Sequence, residues 1–368
     1  MRKAAVGYIV VLGLAALVCL VRPRSTDWDM VMYLSLVQQK HNPAAAYAEL
    51  QRSIPHQAYQ ILTGETGASG QYGTDGKSIY LRDMASSPDH FMQQTPLYAV
   101  KPLYIAAVWL LWKAGLSLFF AMHAVSAMAY FMTGWIVWLW TTKHLVGWTA
   151  FLAASTLALQ PFLLQLARAP LPDALGLSLQ MMGAYLIWER DRKAVGAGLL
   201  LLSILARPDA VLFCLLLFAS LRMFVPMVGA VAVYLANNYF AHSYGWAKLF
   251  YHTFVHLLPA PKQAVVHVGP GLYFHVLAAN TQHLVLNDTL LFLVFALGAW
   301  GLRAQWELRG PVLVCLATIV LHQLAFPVMF AFDADRFYAV EYLIVLLFAA
   351  QAFLSGRAPG QCGEEGGA

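Results

Sequence analysis

Charge is the scarcest commodity in this sequence: Asp, Glu, Lys and Arg make up 11% of its 368 residues, against roughly a quarter in a soluble domain. With 60% of residues hydrophobic, that shortage excludes a soluble globular chain with a large core and leaves a polytopic membrane protein. The formal net charge of +5 comes from scattered Lys and Arg. No basic run or stripe occurs, which argues against a nucleic-acid partner. Cysteine is sparse too: of four, Cys19, Cys214 and Cys315 lie inside apolar segments and Cys362 in the tail. None has a partner at ligand spacing, so neither a disulfide framework nor a zinc site is implied. His252 and His256 stand four apart, but the Glu that follows the first histidine of a zinc-protease helix is missing. Asp75-Gly76-Lys77-Ser78 lacks the earlier glycine of a phosphate-binding loop, because Gln71 holds that place.

What is present is a succession of apolar blocks. Ala4 to Val21 follows Met1-Arg2-Lys3 like a signal peptide, but no small-x-small cleavage site follows and Arg22-Pro23-Arg24 breaks the pattern, so it reads as a retained first span. Further blocks lie at about 117–140, 146–165, 174–189, 194–206, 209–222, 224–241, 288–302, 311–331 and 337–354. Several fall short of the ~20 residues of a full span, which predicts helices ended inside the protein at Pro and polar pairs.

Between the first two spans runs a long polar region, 22–96. Its first part, Trp28 to Gln39, reads as an interfacial amphipathic helix ended by Asn42-Pro43. Gly64, Gly67, Gly70 and Gly73 then recur without the prolines of collagen, as in a flexible loop. If the block Leu97 to Ala114 does not cross, Lys143, Arg190, Arg192, Lys193, Arg222, Arg303, Arg309 and Arg357 fall on the cytoplasmic side. The expectation is therefore an all-α, polytopic membrane helical bundle of about ten transmembrane helices with both termini cytoplasmic. It is one transmembrane domain, 1–355, with a first outer loop (22–96) carrying interfacial helices and a second (242–287) holding six of the twelve histidines. Residues 356–368 form a disordered tail.

Against this background the charges left at the outer face are the candidates for chemistry. Asp27 and Asp29 leave the first span one residue apart. Either could serve as a general base, although Thr26-x-x-Asp29 is also a capping-box-like helix start. Arg168-Ala-Pro-Leu-Pro-Asp173 marks a break between two spans, where Arg168 and Asp173 could pair with each other. Arg207-Pro208-Asp209 is a sharper break that Pro208 at a helix start explains structurally. Asp333-Ala-Asp335-Arg336 opens the last span, and Arg336 offers either a bidentate fork to phosphate or a pair with its own aspartates. Lone histidines such as His123 and His322 read as core residues, and the tryptophans as interfacial belts or packing.

Taken in order, these motifs resemble the GT-C superfamily of polytopic glycosyltransferases of the polyprenyl-phosphate-sugar type. The resemblance lies in a first span followed at once by Asp27-Trp28-Asp29 with Tyr33, a long outer loop, and Thr95-Pro96-Leu97 leading a helix. Arg168 to Asp173, the Leu205-Ala206-Arg207-Pro208-Asp209 break and a closing Asp335-Arg336-Phe337-Tyr338 follow. It covers most of residues 1–355 and implies a donor sugar on a polyprenyl phosphate, a glycan, lipid or protein acceptor, and an inverting displacement at the periplasmic face of an inner membrane. It further implies Asp27 or Asp29 as base, Asp173 as a second acid near the acceptor or a divalent metal, and Arg336 on the departing phosphate. Lys101, Arg168 and His90 are further candidates for that phosphate role. The chain departs from the superfamily in lacking a soluble C-terminal domain, in having a single Pro96 where Pro-Pro is usual, and in its histidine-rich second loop. Two other classes fit the same composition: a transporter or flippase of lipid-linked glycans, with charges at the midplane, and an assembly subunit whose polar pairs are structural.

Overall fold

A computed structural model describes residues 2–21, 28–39, 80, 87–304 and 309–354. Asp27, the glycine repeat at 64–73 and the tail beyond 354 lie outside the described residues.

Seventeen helices and no strand are found among the described residues. They are α1 (Arg2–Val21), α2 (Trp28–Gln39), α3 (Pro88–Tyr98), α4 (Pro102–Lys113), α5 (Leu118–His144), α6 (Gly147–Ala158), α7 (Pro161–Arg168), α8 (Asp173–Trp188) and α9 (Lys193–Ala206). There follow α10 (Ala210–Ser220), α11 (Phe224–Phe240), α12 (Trp246–Phe254), α13 (Pro270–Asn287), α14 (Thr289–Ala304), α15 (Arg309–Ala325), α16 (Ala331–Phe337) and α17 (Ala339–Leu354). Two stretches are long and apolar enough to cross a membrane, Lys3–Val21 and Leu118–His144. Two bent pairs, α6 with α7 at 55° and α13 with α14 at 85°, could each make one more. Six further apolar helices have 10–17 residues. Proline accounts for several of the interruptions: Pro161 and Pro270 start helices, and Pro102 starts α4 after the non-helical Lys101.

The core is built on α5. Tyr8 of α1 donates its hydroxyl to the Gly134 carbonyl at 2.6 Å and stacks on Trp138 at 4.9 Å. On the same long helix the Tyr130 hydroxyl reaches the Ala158 carbonyl of α6 at 3.0 Å. The α8/α9 pair approaches closely because both helices carry glycine where they meet. A methyl added at Gly183 would lie 2.7 Å from Leu200 Cγ and 2.9 Å from the Gly196 carbonyl. Backbones brought together at small residues gain van der Waals contact without needing a hydrophobic driving force, as in bilayers.

Charge is segregated to the two ends of α8. At its C-terminal end Glu189 accepts from Trp140 at 2.9 Å and pairs with Lys143 at 2.8 Å and His144 at 3.2 Å. Burial works against this carboxylate, yet hydrogen bonds from His144 and Lys143 hold its pKa down at about 2. Arg190, Arg192 and Lys193 follow at once in the chain. At the N-terminal end stands Asp173, about 24 Å away along a 16-residue helix.

Helix α2 has the bounds expected from sequence but not the setting. Met30 to Gln38 are buried, with Met30, Val31, Met32, Tyr33 and Val37 wholly so. It is enclosed rather than lying on an interface, because its apolar residues surround the axis and leave no polar face for solvent. The sequence pattern left Leu97 to Ala114 undecided between crossing and not crossing. It resolves into the end of α3, an elbow at Ala99–Lys101, and the 12-residue α4, short of a span on its own.

Candidate functional site

Four breaks in the helical fold bring their charges to one place. Helix α8 begins at Asp173 after Pro170 and Pro172, where an acid in the first turn favours the helix dipole. Ser126 fixes the preceding turn by donating to the Leu171 carbonyl at 3.2 Å. Helix α9 ends at Ala206, since Pro208 disfavours helical geometry at Arg207, which is extended. Asp29 sits in the first turn of α2, and Arg336 in the last turn of the short α16.

These residues form one chain of ion pairs. Arg336 Nε meets Asp173 Oδ2 at 3.2 Å, its Nη2 meets Asp29 Oδ2 at 3.6 Å, and its Nη1 meets Asp333 at 3.7 Å. The other oxygen of Asp173 takes Arg207 Nη1 at 3.1 Å. Arg207 is gripped on every side. It holds Asp209 in a bidentate fork at 2.5 and 3.2 Å, and Nη1 also donates to the Arg336 carbonyl at 2.5 Å. Its charged carbon lies 4.9 Å from the centre of the Phe337 ring. Its aliphatic stem fills the space left by Gly176, where an added methyl would stand 2.8 Å from Cδ. With its carboxylate taken by Arg207, Asp209 makes no capping bond to the helix it precedes.

The network grades from buried to open. Asp173 and Arg207 are buried, with side chains 5% and 7% exposed, Arg336 is 14% exposed, and Asp29 at 27% forms an accessible edge. There Tyr98 donates to Asp29 Oδ1 at 2.9 Å. Burial and the neighbouring Asp29 carboxylate push the Tyr98 phenol up, so it stays a donor. Lys101 donates to the Tyr33 hydroxyl and lies 5.1 and 5.6 Å from the centres of the Tyr33 and Tyr98 rings. Burial lowers the Lys101 ammonium from its ordinary range, against the pull of Asp29 and Asp173. A cation held by aromatic faces and a phenol thus borders the carboxylates.

Of the residues singled out from sequence, Asp29, Asp173, Arg336 and Lys101 come together. Asp27 lies outside the described residues. The pairing considered between Arg168 and Asp173 gives way to Arg336 and Arg207 as the partners of Asp173, and Arg168 stands exposed at the end of α7. His90 lies elsewhere, on α3, where it lines a wide crevice of about 590 Å³ with Ser87, Asp89, Gln93, Lys262 and Gln263. That crevice separates α3 from the second loop, and the two are stitched together beside it. Gln94 donates to the Leu258 and Pro259 carbonyls, both at 2.9 Å, and Tyr244 to the Gln93 carbonyl at 2.9 Å. His252 is buried and accepts from the Leu258 amide at 2.9 Å, while His256 is exposed. His123 and His322 are buried in the core.

The residues to which sequence reasoning gives no site role are Arg207 and Asp209, read mainly as a helix break, and Tyr98. The signal available was a full Arg-Pro-Asp triplet inside an apolar chain, where a charge is costly unless it has distant partners. The described residues do not fit a divalent ion: Asp29 and Asp173 both face Arg336, and no three His, Cys, Asp or Glu side chains stand at ligand spacing. No family model, curated protein or solved structure matches the chain. Function therefore has to be argued from the geometry.

Proposed function

We propose that this chain is a membrane glycosyltransferase of the GT-C kind, moving a sugar from a polyprenyl-phosphate donor to an extracytoplasmic acceptor. One observation carries this reading. Asp29, Asp173, Arg207 and Arg336, spread over most of the chain, converge at one end of the bundle into a network whose Asp173–Arg207 half is buried and whose Asp29–Arg336 edge is more exposed. Chemically, an acceptor hydroxyl attacks the anomeric carbon as the bond from that carbon to the lipid phosphate oxygen breaks. Asp29, or Asp27 beside it in sequence, takes the hydroxyl proton. The bonding pair leaves on the phosphate oxygen, whose growing charge Arg336 neutralises, with Lys101 nearby. Asp173 holds the Arg336 guanidinium by its Nε. The polar crevice bordered by Asp89, His90, Gln93 and Lys262 gives a hydroxyl-rich acceptor a wet approach along α3, the helix that ends at Tyr98 beside Asp29.

The multi-pass topology and its sidedness belong to this proposal. They are supported by the basic cluster at 190–193 and the Asp–Arg network lying at opposite ends of α8, as the positive-inside pattern asks. Grouping of charge at one end favours an enzyme over a flippase, which would place its charges at the midplane. The test is transfer by purified protein in detergent, with a radiolabelled sugar on a polyprenyl phosphate and an envelope extract as acceptor source. A carrier has no second compartment under these conditions and yields no new glycoside, whereas a transferase does.

A further inference from the structure

Beneath Arg207 lies a small, partly open chamber of about 10 Å³, whose lining, part apolar, includes the polar groups of Gln180, Arg207, Asp209, Thr318, His322 and Glu341. That is the space of about one water molecule. Two of its walls carry polar atoms in want of a partner. Glu341 is 3% exposed, and its Oε2 has no hydrogen-bond partner among the described residues. His322 is equally buried, and neither ring nitrogen has one; the nearer carboxylate oxygen, on Asp209, is 3.8 Å from Nε2. Thr318 spends its proton on the Val314 carbonyl at 2.8 Å, which leaves its oxygen able to accept. Buried polar groups without partners are rare, and a polar cavity of this size is where an ordered water settles them.

We propose that the chamber is a one-water site, and that this water joins Glu341 and His322 to Asp209, making both positioning residues for Arg207. Donating to Glu341 Oε2 and meeting the imidazole, the water closes a frame around Asp209, the carboxylate that forks Arg207. Arg207 in turn holds Asp173 and the Arg336 backbone carbonyl. The frame therefore reaches the guanidinium assigned above to the donor phosphate, and this second half of the inference rests on that assignment. Glutamine at 341 keeps an acceptor for the water, whereas leucine fills the chamber and removes it.

The experiment is a structure at a resolution that shows ordered water, for the wild type, Glu341→Gln and Glu341→Leu, followed by kinetics on all three. A single peak between Glu341, His322 and Asp209 is expected in the wild type and in Glu341→Gln. In Glu341→Leu it should vanish and the Arg207 and Arg336 side chains should shift. With polyprenyl-phosphate sugar, Glu341→Leu should lower kcat about tenfold, the worth of one hydrogen bond, because the displaced Arg336 neutralises the leaving phosphate less well. Glutamine should restore it. A dry chamber in the wild type overturns the water site, and unmoved arginines or an unchanged kcat in Glu341→Leu overturn the positioning role. Should Glu341→Leu fail to fold, His322→Phe removes the imidazole from the same frame and is read in the same way. If even the wild type transfers no sugar, the functional reading falls, while the maps still decide the water and the arginine shift.

Discussion

Arg207 shows how much one buried cation can organise. Its guanidinium faces two carboxylates and a carbonyl, and its stem is accommodated by a glycine, so its removal cannot be absorbed by water. Arg207→Met leaves Asp173 and Asp209 without this buried counter-ion and should destabilise the fold by about 3–5 kcal/mol, measured by denaturation in detergent. Asp335 makes a pH-dependent contribution of the opposite kind. Burial, and then the charge of Asp288, push its pKa up from 3.8 to about 7. The folded protein thus binds a proton that the unfolded chain has lost, so stability should fall as pH rises through that window and level off above it. Melting temperatures of Asp335→Asn should lack this fall. At this scale the sequence was informative about which charges to watch, because a charge at the end of an apolar block is conspicuous. Sequence neighbours suggest only local partners: Arg336 does meet Asp333, but Asp173 is held by Arg207 and Arg336 rather than by Arg168. Pro208 at a helix start gives Arg207-Pro208-Asp209 a local explanation, and only the fold reveals Asp173 and the Arg336 carbonyl as partners of Arg207.

Most helices here are short, and their breaks are where charge collects. Apolar blocks read from sequence correspond to α5, α8 to α11, α14, α15 and α17, since composition marks them plainly. The setting of α2 was misjudged because a short helix with apolar residues around its whole circumference can lie on an interface or be enclosed, and only its neighbours decide. The α8/α9 contact matters most for the site, as α8 begins with Asp173 and α9 ends before Arg207. Gly183→Val would press on the Leu200 side chain and the Gly196 backbone, forcing these helices apart. A loss of about 1–3 kcal/mol is expected from overpacking, read as a lower melting temperature, together with weaker donor binding as the Asp173–Arg207 contact opens.

On the scale of the whole molecule, the orientation proposed from the separation of charge along α8 can be tested without any substrate. Single cysteines replacing Asp191 and Lys262, in a background lacking the native cysteines, should label from opposite sides of sealed vesicles. An impermeant maleimide added outside should reach position 262 and not 191. Labelling of 191 and not 262 would invert the assignment of the site to the outer face, and labelling of both would contradict their separation across the membrane. Yet the most direct measurement is transfer itself, comparing wild type, Asp29→Asn and Arg336→Met with labelled polyprenyl-phosphate sugar. The wild type should form product, and loss of the proton acceptor should slow it by about 10²-fold or more while folding is kept. Arg336→Met should lower kcat, because the leaving phosphate loses its counter-charge. Equal rates in all three, or no product from correctly folded wild type, would contradict the account.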